Sequence, residues 1–282
     1  MPPRAADAAT SPDSLLDRVP DDGVLDLVIV GPGRLGRSMA AALQQQGHRV
    51  RLVGRGQAIP TAPLTWLTVP DSTLAEVAAT VPPGGVLLHA SGACEVEVLR
   101  PYRPAGSLHP LMTFPGPELA TPQLEGLPAA VAGDPAARAA ALCLGRALGF
   151  AVFEVPGDRR LYHASAVMAG NFATVLLGAA AELLAAAGVD PAQAPALLLP
   201  LARASLENAA AVGPARALTG PLARGDEAVV AAHRAAIHGA CPALLPTYDA
   251  LADRARALAR AAAATPPAAP PLHRSMPSRS EG

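Results

Sequence analysis

The chain contains no lysine, so all 22 of its basic residues are arginines. That absence excludes Schiff-base chemistry and a lysine general acid. Aromatic side chains make up only 3% of the residues, too few for the stacking platforms that hold single-stranded nucleic acid. The net charge is −1 and no basic stripe is present, so no nucleic-acid partner is expected. Cysteine is scarce, and Cys94, Cys143 and Cys241 lack C-x-x-C spacing. Reduced thiols are expected, with no disulfide frame and no metal site. The opening MPPRAADAATSPDSLLDRVPDDG has no continuous apolar stretch and does not read as a secretory signal. The most apolar region, 173–189, carries Glu182 in its middle and falls short of a spanning length. It is expected to be a buried helix, with no membrane partner, and the cytoplasm is the expected compartment.

What is present is apolar: hydrophobic residues are 51% of a 282-residue chain, enough for two domains with substantial cores. Residues 1–22 and 263–282 are rich in Pro, Ala, Ser and charge without apolar periodicity, and are expected to be disordered tails. From 23 to 156, short apolar runs alternate with helical stretches, the pattern of a mostly parallel α/β sheet. Strands are expected near 25–30, 49–53, 65–69, 86–90, 105–108, 129–132 and 151–155, with helices near 34–46, 72–80, 94–100 and 135–148. After Gly157 the strand-like runs vanish. Helices are expected at 159–187, 191–211, 226–238 and 241–263, which makes 157–262 an all-α domain. Several of these helices are apolar on more than one face and need burial, so a homodimer through this domain is expected.

Within LDLVIVGPGRLGRSMAAAL, residues 25–43, an apolar run leads into Gly31, Gly33 and Gly36 and then into a helical pattern. The spacing G-x-G-x-x-G, with a strand before it and a helix after it, fits a turn that binds a dinucleotide. Gly31 permits the tight turn, Gly33 lets the backbone approach a diphosphate, and Gly36 lets the helix pack on the sheet. Arg34 and Leu35 complete the turn, and the helix N-terminus faces the phosphates. The next strand, RVRLV, ends in Gly54-Arg55-Gly56 with no acidic residue nearby. A guanidinium there pairs with a 2′-phosphate, which favours NADP over NAD. Pro70, in TVPDS, and Ser91, in HASG, stand at later strand ends, where ligands of open α/β sheets bind. His89 and, in SLHPLMTF, His109 share that placement.

LYHASAVMAGNFATVLL puts His163, Val167 and Asn171 along one helix face at four-residue steps. ALTGPLARGDEAVVAAHRAAI then brings Thr219, Arg224, Asp226 and His233 into one segment. Arg224 suits a substrate carboxylate, while Asp226 also suits a helix N-cap.

The succession GPGRLG, TVPDS, HASG, SLHPLMTF, YHASAVMAGNF and ALTGPLARGD resembles the Rossmann-like proteins that carry a DUF2520 C-terminal domain. In plan these are similar to ketopantoate reductases, pyrroline-5-carboxylate reductases and 6-phosphogluconate dehydrogenases. The resemblance spans about residues 24–260. It implies a Rossmann-type sheet domain followed by an all-α domain like the C-terminal domain of 6-phosphogluconate dehydrogenase. It also implies a nicotinamide-dependent oxidoreductase with an interleaved helical dimerisation domain. Ordinary ketopantoate reductases use a lysine as proton donor, so their mechanism does not transfer to this chain. The expected reaction is NADPH-dependent reduction of a small 2-keto acid, with ketopantoate leading. His109 is the first candidate acid and His163 the second. Asn171 is expected to bond the carbonyl oxygen, with Arg224 and Asp226 completing the site. A cyclic imine reductase of the pyrroline-5-carboxylate type and a non-catalytic NADP-binding sensor are the alternatives.

Overall fold

The computed structural model describes residues 23–115 and 123–264. The expected tail 1–22 and most of the expected tail 263–282 lie outside them. The described chain divides into two compact units, which meet between Asn171 and Phe172. The change in sequence texture pointed to a boundary at 156/157. The first unit instead keeps the first helix after the sheet, because Arg159 on that helix is tied to the turn beyond the fourth strand.

In the first unit, β1 (Asp26–Val30), β2 (Arg49–Val53), β3 (Leu64–Leu67), β4 (Val86–His89), β5 (Ala105–Pro110), β6 (Pro128–Gly133) and β7 (Ala151–Glu154) form one sheet. Its order is β2-β1-β3-β4-β5-β6-β7, and only the β5–β6 pair is antiparallel. Helices α1 (Arg34–Gln45), α2 (Leu74–Ala78), α3 (Pro135–Ala147) and α4 (Arg159–Ala169) accompany it. The mostly parallel Rossmann-type fold read from the sequence is therefore present.

The central strands are buried on both faces, which is why β3 and β4 read as short, nearly continuous apolar runs. On one face α1 and α3 pack over Leu27, Ile29, Trp66, Leu88 and Leu108. On the other, Val28, Val30, Leu67, Leu87 and Ala105 meet Leu74, Val96 and Leu99. The expected helix at 94–100 is a single 3-10 turn, Val96–Leu99. The chain runs outward from β1 to β2 and then crosses back to β3 on the other side of β1. That reversal opens a crevice at the carboxyl ends of these strands.

The second unit is all α, as expected for the C-terminal region. It holds α5 (Asn171–Ala186, whose first residue belongs to the first unit), α6 (Ala194–Val212), α7 (Pro214–Ala217), α8 (Pro221–Arg224), α9 (Glu227–Ala240) and α10 (Leu245–Ala264). The expected burial of 173–189 does not appear within a single chain, since no residue of α5 is buried. Arg159–Ala186 forms a 28-residue helical stretch of mean hydropathy 1.6, long and apolar enough by length and composition to cross a membrane. Leu161, Met168, Phe172, Val175 and Leu176 on it are exposed, while Leu177, Leu183 and Leu184 are half-buried.

Asp134, at the mouth of α3, fixes the strand that carries His109. It takes both Arg100 nitrogens at 3.0 Å and the Ala105 amide at 2.9 Å. Replacing a half-buried, charged acceptor of this kind typically costs about 1–3 kcal/mol. Asp134→Ala should therefore lower the unfolding free energy by that amount, read in urea as a lower midpoint with an unchanged slope.

Candidate active site

The glycine turn is held by close backbone approaches and by the Thr68 hydroxyl. Gly31 has φ +111°, and a β-carbon there would lie 2.8 Å from the Thr68 carbonyl oxygen. A β-carbon on Gly36 would stand 2.0 Å from the Gly31 carbonyl oxygen, so no larger residue fits without moving the helix. The Gly31 amide donates to Val53 at 2.9 Å, and the Thr68 hydroxyl donates to the Gly31 carbonyl at 2.8 Å. Gly33 differs: a β-carbon there would meet nothing within 4 Å. It is also the N-cap of α1, with no side-chain cap, so the first N–H groups of that helix face open space.

That space is a cavity of about 560 Å³ at the reversal point of the sheet. Gly31, Gly33, Arg55, Thr68 and Pro70 are among its walls. The Gln57 carboxamide accepts from the Gly54 amide at 2.7 Å and shapes the loop that presents Arg55. Of the other cofactor candidates, Arg34 is exposed at the start of α1, Leu35 packs on the core, and Gly36 is buried under the turn. Ser91 is turned away from the cavity, its hydroxyl accepting from the Ala93 and Cys94 amides at 3.1 and 2.9 Å. These glycines, the uncapped helix end and the free guanidinium-bearing wall fit a dinucleotide carrying an extra phosphate.

Next along the sheet a second group gathers around His109, at the end of β5. Its Nδ1 lies 2.7 Å from the Tyr162 hydroxyl, with the rings edge-on at 5.5 Å. The His163 ring is 6.4 Å from His109. Gly92 backs both imidazoles, for a β-carbon there would come within 2.9 Å of each. Arg159, only 2% exposed, donates to the Ser91 carbonyl at 2.9 Å and the Cys94 carbonyl at 3.1 Å. Its Nη1 has no partner among the described residues, and its guanidinium carbon lies 6.0 Å from the Tyr162 ring centre.

Burial pushes His109 down to about 4, helped by the Arg159 cation and by His163 and opposed by Asp71. His89, fully buried, goes down to about 3 through burial, Arg159 and His109. Its Nδ1 accepts from the Ser91 amide at 3.2 Å, and its Nε2 has no partner among the described residues. Burial raises the Tyr162 phenol, and Arg159 offsets part of that rise. Both strand-end histidines are thus neutral imidazoles at neutral pH.

Of the expected catalytic residues, the structure brings His109 and His163 together and leaves Asn171 exposed at the start of α5. Arg224 and Asp226 belong to the second unit. There Arg224 closes α8, and Asp226 caps α9 by accepting from the Val229 amide at 3.3 Å. His233 bonds the Tyr248 hydroxyl at 3.0 Å in that same unit. The sequence reading missed Tyr162 and Arg159. Their signal was the i, i+3, i+4 spacing of Arg159, Tyr162 and His163, which puts all three on one helix face.

Residues 127–255 match the family described as "Domain of unknown function (DUF2520)". None of the curated proteins compared matches the chain. Among solved structures, BF3122 from Bacteroides fragilis, described provisionally as an NADP oxidoreductase, is 21% identical with a TM-score of 0.70. The match covers 83% of this chain and 98% of that one. TM1727 from Thermotoga maritima is 22% identical, TM-score 0.67, over 83% and 98% of the two chains. The 1-pyrroline-5-carboxylate reductase of Streptococcus pyogenes is 13% identical, TM-score 0.56, over 83% and 99%. At these identities the likeness establishes the fold.

The depressed histidines set a pH dependence. Below the unfolded pKa of 6.5 the unfolded chain binds protons that folded His89 and His109 refuse, so stability falls as pH falls. Between pH 7.5 and 5.5 each should cost on the order of 1 kcal/mol. Urea unfolding at the two pH values measures the loss, and His109→Gln should remove about half of it.

Proposed function

We propose that the protein is an NADPH-dependent oxidoreductase that reduces a small 2-keto acid, with ketopantoate the leading substrate, and works as a homodimer in a reducing cytoplasm. One observation carries this reading: the cavity walled by the glycine turn and Arg55 and the His109–Tyr162–His163 group both stand at the carboxyl ends of parallel strands of one sheet. Pro70 lines the cavity, and its neighbour Asp71 acts electrostatically on His109. The provisional description of BF3122 accords with it.

When bound, NADPH supplies a hydride. The α1 N-terminus and the Gly33 backbone hold the diphosphate, and Arg55 pairs with the 2′-phosphate. The strand-end group holds the proton that a carbonyl oxygen needs once its carbon is reduced. Asn171 is assigned to the carbonyl oxygen, as the sequence resemblance implies. A cyclic imine is the second candidate, because neutral strand-end histidines suit a substrate that arrives already protonated.

NADPH absorbance followed against 2-keto acids, including ketopantoate, and cyclic imines tests the reading. Turnover should favour NADPH over NADH at least about tenfold, the worth of one charge-assisted phosphate contact, and Arg55→Ala should erase that preference. Tight binding without any turnover would leave a sensor instead.

The exposed side chains of α5 and α6 support the dimer. Val175 is 62% exposed, Leu197 59% and Leu201 68%, large apolar side chains that a second copy would cover. Light scattering should give about twice the 28.4 kDa chain mass. The pair Val175→Asp and Leu201→Asp should give monomer.

A further inference from the structure

We infer that Tyr162 is the residue that hands the proton to the substrate, with His109 as its relay. This deepens the oxidoreductase reading and rests on it. The argument begins with what is missing: a chain without lysine has no ammonium to serve as donor. An imidazole as desolvated as His109 carries no spare proton at neutral pH. The Tyr162 phenol is the group hydrogen-bonded to His109, and it carries an acidic hydrogen there. It stays protonated in the resting site, because burial disfavours its anion. An alkoxide forming on the substrate is far more basic than a phenolate, so transfer runs downhill.

The geometry supplies both things such a donor needs. One is reprotonation. His109 Nδ1 stands 2.7 Å from the phenol oxygen. In the tautomer carrying hydrogen on Nδ1, the imidazole donates to that oxygen and leaves the phenol hydrogen free for a carbonyl. As hydride reaches the carbonyl carbon, the reduced nicotinamide is oxidised by two electrons and the C=O π bond breaks. The phenol O–H bond breaks too, and a new O–H bond forms on the substrate. Nδ1 then returns a proton to the phenolate while Nε2 takes one from a solvent acid, so His109 stays neutral but ends as the Nε2–H tautomer, and proton exchange with solvent restores the Nδ1–H form before the next turnover. The other need is a counter-charge for the short-lived phenolate. Arg159 provides it, lying 6.0 Å from the ring centre and immobilised by the Ser91 and Cys94 carbonyls. A guanidinium does not lose its proton, so this charge is permanent.

The test uses Tyr162→Phe in the full chain. Its kcat for the best 2-keto acid should fall about 10²- to 10⁴-fold, the range for loss of a general acid, with KM changed less than about threefold. Fluorescence titration should show NADPH affinity unchanged, which separates loss of the donor from loss of the fold or the cofactor site. Nitrogen NMR of histidine-labelled protein, without cofactor, should show His109 as one neutral tautomer in the wild type and as a mixture in Tyr162→Phe. Should that variant fail to fold, 3-fluorotyrosine at 162 keeps the contacts and acidifies the phenol. The basic limb of kcat should then move to lower pH. His89, His109, His163, Arg159 and Asp71 are the charged or titratable groups around it, and this exchange alters none of them. Tyr162→Phe turning over at more than a third of the wild-type rate, or an unmoved basic limb, overturns the inference and leaves the oxidoreductase reading standing. Wild-type protein that neither binds nor oxidises NADPH overturns both.

Discussion

Gly36 and the carbonyl of Gly31 approach so closely that no β-carbon fits between them, and the position of α1 follows from that contact. With the helix seated there, its first N–H groups open at the carboxyl ends of β1 and β3 instead of being buried or capped. Thr68 braces the same turn from β3 through the Val30 and Gly31 carbonyls. Three strands therefore converge on one short loop. The cavity, the presentation of Arg55 and the placing of Pro70 beside Asp71 all depend on its shape.

The same unit carries an unusual load of desolvated polarity. His89 Nε2, Ser107 Oγ and Arg159 Nη1 are buried without partners among the described residues, and all three lie near the ends of β4 and β5. Orphaned groups of this kind each cost free energy in an apolar interior. A fold built only for stability would replace them with apolar side chains. A fourth such atom, Trp66 Nε1, sits in the core on β3, but the three beside His109 and Tyr162 are what a site with tuned proton affinities looks like.

Much of this was legible in the residues. The seven strand positions follow from apolar runs bounded by glycine and proline, and every one lies within three residues of its expected bounds. The glycine turn and Arg55 could be read because each does its work with local backbone. His109 could be placed at a strand end but not paired, since its partner Tyr162 lies fifty-three positions on, and only the packing of α4 brings the two together. Arg159 and Arg160 are adjacent arginines in the sequence; burial of the first and exposure of the second is a tertiary fact. Residues 173–189 show the opposite error. Their composition asked for burial, but one copy of the described chain does not provide it, because apolar content says that a surface must be covered and not by what.

Arg159 has a mechanical side as well. One guanidinium on α4 grips the carbonyls of Ser91 and Cys94, on either side of the Gly92 that supports both imidazoles. Helix and loop are thereby coupled like two links on one pin. Any rotation that carries α4 outward, with Tyr162 and His163, must drag the Gly92 loop with it or break these two bonds, while His109 stays anchored in β5.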